Sequence, residues 1–130
     1  MGVIYLDSCI VIYAVEQSPL FATRITQALK RAKQPFAISP LVVSECLVAP
    51  LKRGDAAMGQ RFEAFFVRSI MLSLVEADFR QAAQLRAQFS LRTPDALHVA
   101  CAARHGCTQL WTNDQRLDKV GRNLVKNILR

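Results

Sequence analysis

Residues 2–7, "GVIYLD", are a short apolar run without alternation that ends in an acid. A strand buried on both faces reads this way, because each successive side chain meets a covered surface. Such strands are typical of parallel sheets. Working outward, similar short runs recur at "PFAIS" (35–39), "IMLSL" (70–74), "QLWT" (109–112) and "NLVKNIL" (123–129). Longer segments with helical spacing lie between them. Ser18-Pro19, Ser39-Pro40 and Thr93-Pro94 each set an N-cap hydroxyl before a proline suited to the first helical position. Gly54 and Gly106 fall where helices should end, Asp55 is placed to cap the helix "AAMGQRFEAFFVRS", and "EADFRQAAQLRAQF" (76–89) supplies another. Strands alternating with helices predict an α/β fold, a parallel sheet sandwiched between helices. With no linker, repeat or low-complexity tract, a single domain is expected to span residues 1–130.

The composition narrows the class. An apolar fraction of 52% beside 21% charged residues is that of a globular, soluble chain long enough to bury a core. No apolar run approaches the roughly 20 residues needed to cross a bilayer, and no basic segment leads into a long apolar one, so neither a membrane association nor secretion is expected. Cys9, Cys46, Cys101 and Cys107 form no C-x-x-C pair and lie among aliphatic residues, which predicts reduced thiols in a cytoplasmic protein. The net charge of +7 favours encounter with a polyanion.

The acids carry the chemistry. In an open parallel sheet, ligands bind outside the carboxyl ends of the strands. Asp7 ends the first strand, Asp114 follows "QLWT" by two residues, and Asp95 stands in the first turn of the helix begun at Thr93-Pro94. Each has a bland explanation: Asp7 as a helix cap, Asp95 as a helix-dipole partner, Asp114 as a turn residue. Glu45 resists one, because its helix "PLVVSECLVAP" has no broad polar stripe. An unpaired carboxylate there costs several kcal/mol. Neither helix carries a Lys or Arg at a spacing that reaches these acids, and Arg92, beside Asp95, is one charge against four. A hard divalent cation, Mg²⁺ or Mn²⁺, is the economical partner, and such ions support phosphodiester hydrolysis. A basic surface around an acidic hole suits a phosphate-backbone substrate.

Other chemistries lack their residues. No phosphate-cradling glycine motif, H-E-x-x-H, zinc cluster or G-x-S-x-G elbow is present. His98, three residues after Asp95, reads as a hydrogen-bonded structural imidazole before it reads as a metal contact. A receiver-like phospho-acceptor domain would need an aspartate at the end of its third strand, and "IMLSLVE" offers none there.

The stretches "YLDSCIVIY", "ISPLVVSE", "LRTPDALHVA" and "LWTNDQRL" together resemble the PIN-domain ribonucleases, and with this length they are most similar to VapC-type toxins of toxin–antitoxin pairs. The resemblance implies a three-layer α/β/α sandwich with a mostly parallel sheet of four to five strands. It implies metal-dependent endoribonuclease activity, one or two Mg²⁺ or Mn²⁺ ions, and structured RNA such as tRNA or rRNA as substrate. It also implies a homodimer and a VapB-like antitoxin whose C-terminal segment lies over the active site. Carried over by position, Asp7, Glu45, Asp95 and Asp114 are the catalytic, metal-coordinating set, while Ser8, Thr112 and Asn113 match polar positions that support the pocket or contact water on the metal. Many relatives carry a further acid two residues after the fourth, and here that place is Arg116, with Asp118 nearby. Either one ion is held firmly and a second binds only with substrate, or Arg116 takes up an RNA phosphate, or it is an ordinary solvated arginine. The helix with Phe62, Phe65 and Phe66 is a candidate for dimerisation or antitoxin binding, or for ordinary core packing. The alternatives to a toxin are a PIN enzyme that processes RNA without an antitoxin and a non-catalytic RNA-binding or assembly module.

Overall fold

The computed structural model describes residues 2–121 and 123–129. In chain order its elements are β1 (Ile4–Leu6), α1 (Ser8–Val15), α2 (Ala22–Ala32), β2 (Phe36–Ile38), α3 (Pro40–Arg53), α4 (Ala56–Val67), β3 (Ile70–Met71), α5 (Glu76–Phe89), α6 (Thr93–Arg104), β4 (Gln109–Thr112), a 3-10 turn (Gln115–Val120) and β5 (Val125–Asn127). The five strands pair in the order β3-β2-β1-β4-β5. Every pairing is parallel.

That order has a direct consequence. The chain steps from β1 outward to β2 and β3, then crosses back to lay β4 and β5 on the other side of β1. Right-handed crossovers in opposite directions leave their helices on opposite faces. Accordingly α1 packs on α2, α3 and α4, whereas α5 packs on α6 and the 3-10 turn. The result is the expected three-layer α/β/α sandwich, with its topological switch between β1 and β4, where Leu6 pairs with Trp111.

The central strands are covered on both sides, which explains their unbroken apolar sequences. Ile4, Tyr5, Leu6 and Leu110 have no exposed surface, and each large apolar side chain so buried contributes about 1.5–3 kcal/mol. The third run behaves differently. Of residues 70–74 only Ile70 and Met71 pair, and both are partly exposed, because β3 lies at the sheet edge. Phe62, Phe65 and Phe66 turn inward as core rather than forming a docking face.

The helix signals hold with three shifts. Gly54 closes α3 in the left-handed region at φ 64°, and the Asp55 carboxylate accepts from Met58 N–H at 3.0 Å to start α4. Ser18-Pro19 begins no helix: Ser18 C=O accepts from Phe21 and Ala22 in a turn, and α2 starts at Ala22. At the other two sites the hydroxyl does not cap. Ser39 holds the N-cap position of α3, but its side chain is drawn to Tyr5 instead. Thr93 lies inside α6, whose N-cap is Arg92, so Asp95 is the third helical residue.

Candidate active site

The carboxyl edge of the sheet gathers the four acids from four separate places in the chain. Asp7 leaves β1 and caps α1, Glu45 sits in the second turn of α3, Asp95 in the first turn of α6, and Asp114 caps the 3-10 turn after β4. All four line one cleft of about 500 Å³, together with Ser8, Cys9, Tyr13, Arg92, His98, Asn113 and Gln115. Thr112 lies beneath it, fully buried, and neither Arg116 nor Asp118 is among the lining residues.

Asp7 is the deepest acid, 6% exposed. Its Oδ1 accepts from Cys9 Sγ–H at 2.8 Å and from Ile10 N–H at 3.3 Å, and Thr112 adds a further side-chain hydrogen bond. Burial nevertheless dominates and pushes its carboxyl above the usual value, outweighing Cys9, Thr112 and the lesser influence of His98. Thr112 also uses its Oγ1 to accept from Asp114 N–H at 3.0 Å. One hydroxyl at the end of β4 thereby ties the two strand-end acids together.

Glu45 has the partner that its own helix lacks. His98 Nε2 lies 2.7 Å from Glu45 Oε1, and His98 Nδ1 lies 2.7 Å from the Tyr5 hydroxyl, which in turn is 2.8 Å from Ser39 Oγ. A neutral imidazole satisfies the whole chain: Ser39 donates to Tyr5, Tyr5 to Nδ1, and Nε2–H to Glu45. Burial acts to raise the Glu45 carboxyl, but His98, with help from Ser8 and Arg92, overrides it and lowers the value. Burial pushes the nearby Cys46 thiol up to about 12, with the Glu45 and Asp7 charges adding to it. Burial and Asp7 likewise push the Cys9 thiol far up, so Cys9 is a hydrogen-bond donor here rather than a nucleophile.

Asp95 and Asp114 are held by arginines. Arg92 Nε donates to Asp95 Oδ2 at 3.1 Å. Arg116 gives Asp114 Oδ1 its backbone N–H at 2.9 Å and its Nε at 3.0 Å, and gives Oδ2 its Nη2 at 2.6 Å. The same Nη2 is 3.9 Å from Asp95 Oδ2. Hydrogen bonding from Arg116 is the leading reason that the Asp114 carboxyl falls below its usual value. Arg92 thus reaches Asp95 as its place before the helix allows, while the expectation of a single nearby arginine is corrected at Asp114, which Arg116 holds.

A hard cation fits the chemistry of this donor set, four carboxylates with hydroxyl and amide oxygens beside them. The arginines alter the arrangement, however. Among the described residues no three His, Cys, Asp or Glu side chains converge closely enough to enclose an ion as they stand. The Arg116 contact was legible in principle, since it spans two residues. The Glu45–His98 pair, 53 residues apart, was not.

Comparison with known proteins gives the family and the fold. The family model described as "PIN domain" matches residues 4–123. Among curated proteins, none matches the sequence. Among solved structures the chain is similar to a toxin–antitoxin complex from Klebsiella pneumoniae, at 23% identity and a TM-score of 0.78, covering 95% of this chain and 96% of that one. It is similar to VapBC2 from Rickettsia felis bound to a DNA fragment from their promoter, at 17% identity and a TM-score of 0.80, covering 95% and 97%. A third is VapC20 of Mycobacterium tuberculosis, a sarcin-ricin loop cleaving toxin, at 14% identity and a TM-score of 0.75, covering 91% and 95%.

Proposed function

The chain belongs to the PIN-domain family, and from that premise we propose that it is a Mg²⁺- or Mn²⁺-dependent endoribonuclease, the toxin of a VapBC-type pair acting on structured RNA such as tRNA or rRNA. Its residues 1–130 act as a single nuclease domain in the cytoplasm, as a homodimer that its cognate VapB-like antitoxin restrains. The observation that carries the reading is the convergence of Asp7, Glu45, Asp95 and Asp114 on one cleft at the switch between β1 and β4. Similarity to toxin–antitoxin complexes supports the antitoxin partner, and a net charge of +7 supports a polyanionic substrate. No helix among the described residues is long and apolar enough to cross a membrane.

In this reading the cleft lined by Asp7, Glu45, Asp95 and Asp114 holds the ion. When bound, it supplies Lewis acidity, making a water more acidic and offsetting charge on the scissile phosphate. The chain's own part is orientation. Thr112 and the α1 N-terminus fix Asp7, His98 and Ser8 fix Glu45, and Asn113 lines the cleft where a phosphate oxygen would lie. Hydrolysis adds water across the P–O3′ bond, leaving a 5′-phosphate and a 3′-hydroxyl. No histidine base is required, since both His98 nitrogens are already engaged.

The test compares RNA cleavage by the wild type and Asp7→Asn, each with Mg²⁺ and with a chelator. Cleavage only by the wild type with Mg²⁺ is expected, and equal activity in all four reactions sinks the reading. The arginine pairing of Asp95 and Asp114 favours one second reading, a non-catalytic RNA-binding module. It predicts full RNA affinity and no cleavage in any variant.

A further inference from the structure

The arginines divide the cleft into two unlike halves. In one half, Asp114 receives the backbone N–H and the forked side chain of Arg116, and Asp95 has Arg92 Nε at 3.1 Å and Arg116 Nη2 at 3.9 Å. In the other, the hydrogen bonds to Asp7 come from a thiol, a peptide N–H and the Thr112 hydroxyl, and those to Glu45 from His98 and Ser8. We infer that the cleft is built for one divalent cation, seated against Asp7 and Glu45, with the Arg116 guanidinium as the fixed cation at Asp114 and Asp95 that takes the place of a second. This rests on the nuclease reading above.

Charge balance supports it. Four carboxylates facing two guanidiniums leave two negative charges, which one divalent ion neutralises and a second would overshoot. Geometry supports it independently. Asp114 caps the 3-10 turn and Arg116 is the second residue of that turn, so the pairing is built by local backbone and needs no distant element to maintain it. A planar fork of donors matches a carboxylate with both oxygens engaged, which a hydrated ion at the same spot would have to displace. Arg116 remains 55% exposed along its side chain, so the fixed charge stays in contact with solvent.

The experiment counts Mn²⁺ bound to the full chain without RNA, by electron paramagnetic resonance and titration calorimetry. The wild type is expected to bind one ion. Asp7→Asn weakens that ion by more than about 100-fold, going beyond the loss typical of residues that only support a ligand, whereas Asp114→Asn weakens it by about 10-fold or less. Arg116→Ala gains a second ion, and Arg116→Lys, which keeps the charge, stays at one. Two ions of similar affinity in the wild type, no gain in Arg116→Ala, or loss on Asp114→Asn with retention on Asp7→Asn each overturn the inference. Circular dichroism melts of every variant exclude misfolding as the cause. The two readings fail separately: metal-dependent cleavage with two ions in the wild type removes the one-ion site and leaves the nuclease, while one ion without cleavage does the reverse.

Discussion

Asp7 and Asp78 are both all but sealed from solvent, at 6% and 1% exposure, and both stand at helix starts, yet they have opposite electrostatics. Asp78 lies in the first turn of α5, where it accepts from Val75 N–H at 2.9 Å and from Arg104, through Nε at 2.7 Å and Nη2 at 3.1 Å. Burial acts to raise its carboxyl, but Arg104 and Val75 outweigh burial and bring it below the usual value. Asp7 has comparable hydrogen bonds and no arginine, and its carboxyl is pushed up. A buried acid supplied with its own cation is part of the framework that joins α5 to α6. One left short of positive charge marks the place where a ligand has to supply it.

The largest expected effects fall on opposite properties of the two acids. Asp7→Asn lowers RNA cleavage by on the order of 10³-fold, as removal of a principal transition-state contact does, and its melting temperature stays level or rises. Asp78→Asn leaves Arg104 without its buried partner, so its melting temperature falls by several degrees while cleavage by the folded fraction is kept. Thermal melts and initial rates on the same preparations measure both. Equal loss of stability in the two variants breaks the comparison.

The acid limb of stability sharpens it. A carboxyl lowered in the folded state, as at Asp78, adds stability that is present above its unfolded value near 3.8 and lost as pH falls through the folded value. A raised one, as at Asp7, has the opposite sign: the folded form is penalised as pH rises from 3.8 through the folded value. Denaturant unfolding between pH 2 and 6 is therefore expected to show a flatter acid loss for Asp78→Asn and a steeper rise of stability with pH for Asp7→Asn than for the wild type. Mg²⁺ gives a smaller shift at neutral pH. An ion at about 100 times its dissociation constant stabilises the folded state by about 2.7 kcal/mol. It should raise the melting temperature of the wild type and Asp78→Asn but not of Asp7→Asn.

Local signals were legible in the sequence, and distant ones were not. Unbroken apolar runs located β1, β2 and β4 because those strands are covered on both faces, and residues 76–89 match α5 at both ends. Residues 70–74 suggest a longer buried strand because an apolar run does not tell an edge from a centre, and only two of its residues pair. In the cleft, Asp7, Asp95 and Asp114 stand out by their places at strand-to-helix junctions, and Glu45 by a helix that offers it no polar stripe. Cys9 resembles a small hydrophobe in the sequence because its neighbours are aliphatic, although it donates to Asp7 two residues away. Tyr5, Ser39 and His98 sit on three different elements, and only folding brings them into a single hydrogen-bonded chain.

That chain yields the smallest of the expected effects. If His98 acts through Glu45, aiming its carboxylate into the cleft, the loss on mutation should follow the Nε2–H rather than the bulk of the ring. Gln is long enough to present an amide N–H near the Nε2 position, while Ala leaves Glu45 without that donor and Tyr5 without an acceptor. His98→Ala is expected to lose about 10–100-fold in Mn²⁺ affinity, the range found for residues that orient a ligand, and His98→Gln about 10-fold or less. Tyr5→Phe removes the bond that holds Nδ1 without touching Nε2 or Glu45, so it should weaken the ion less than His98→Ala does. A purely structural role predicts the reverse pattern, with melting temperature falling in all three variants and Mn²⁺ affinity unchanged in whatever fraction remains folded. Measuring both quantities on each protein therefore decides whether His98 belongs with Asp7, as part of the site, or with Asp78, as part of the frame.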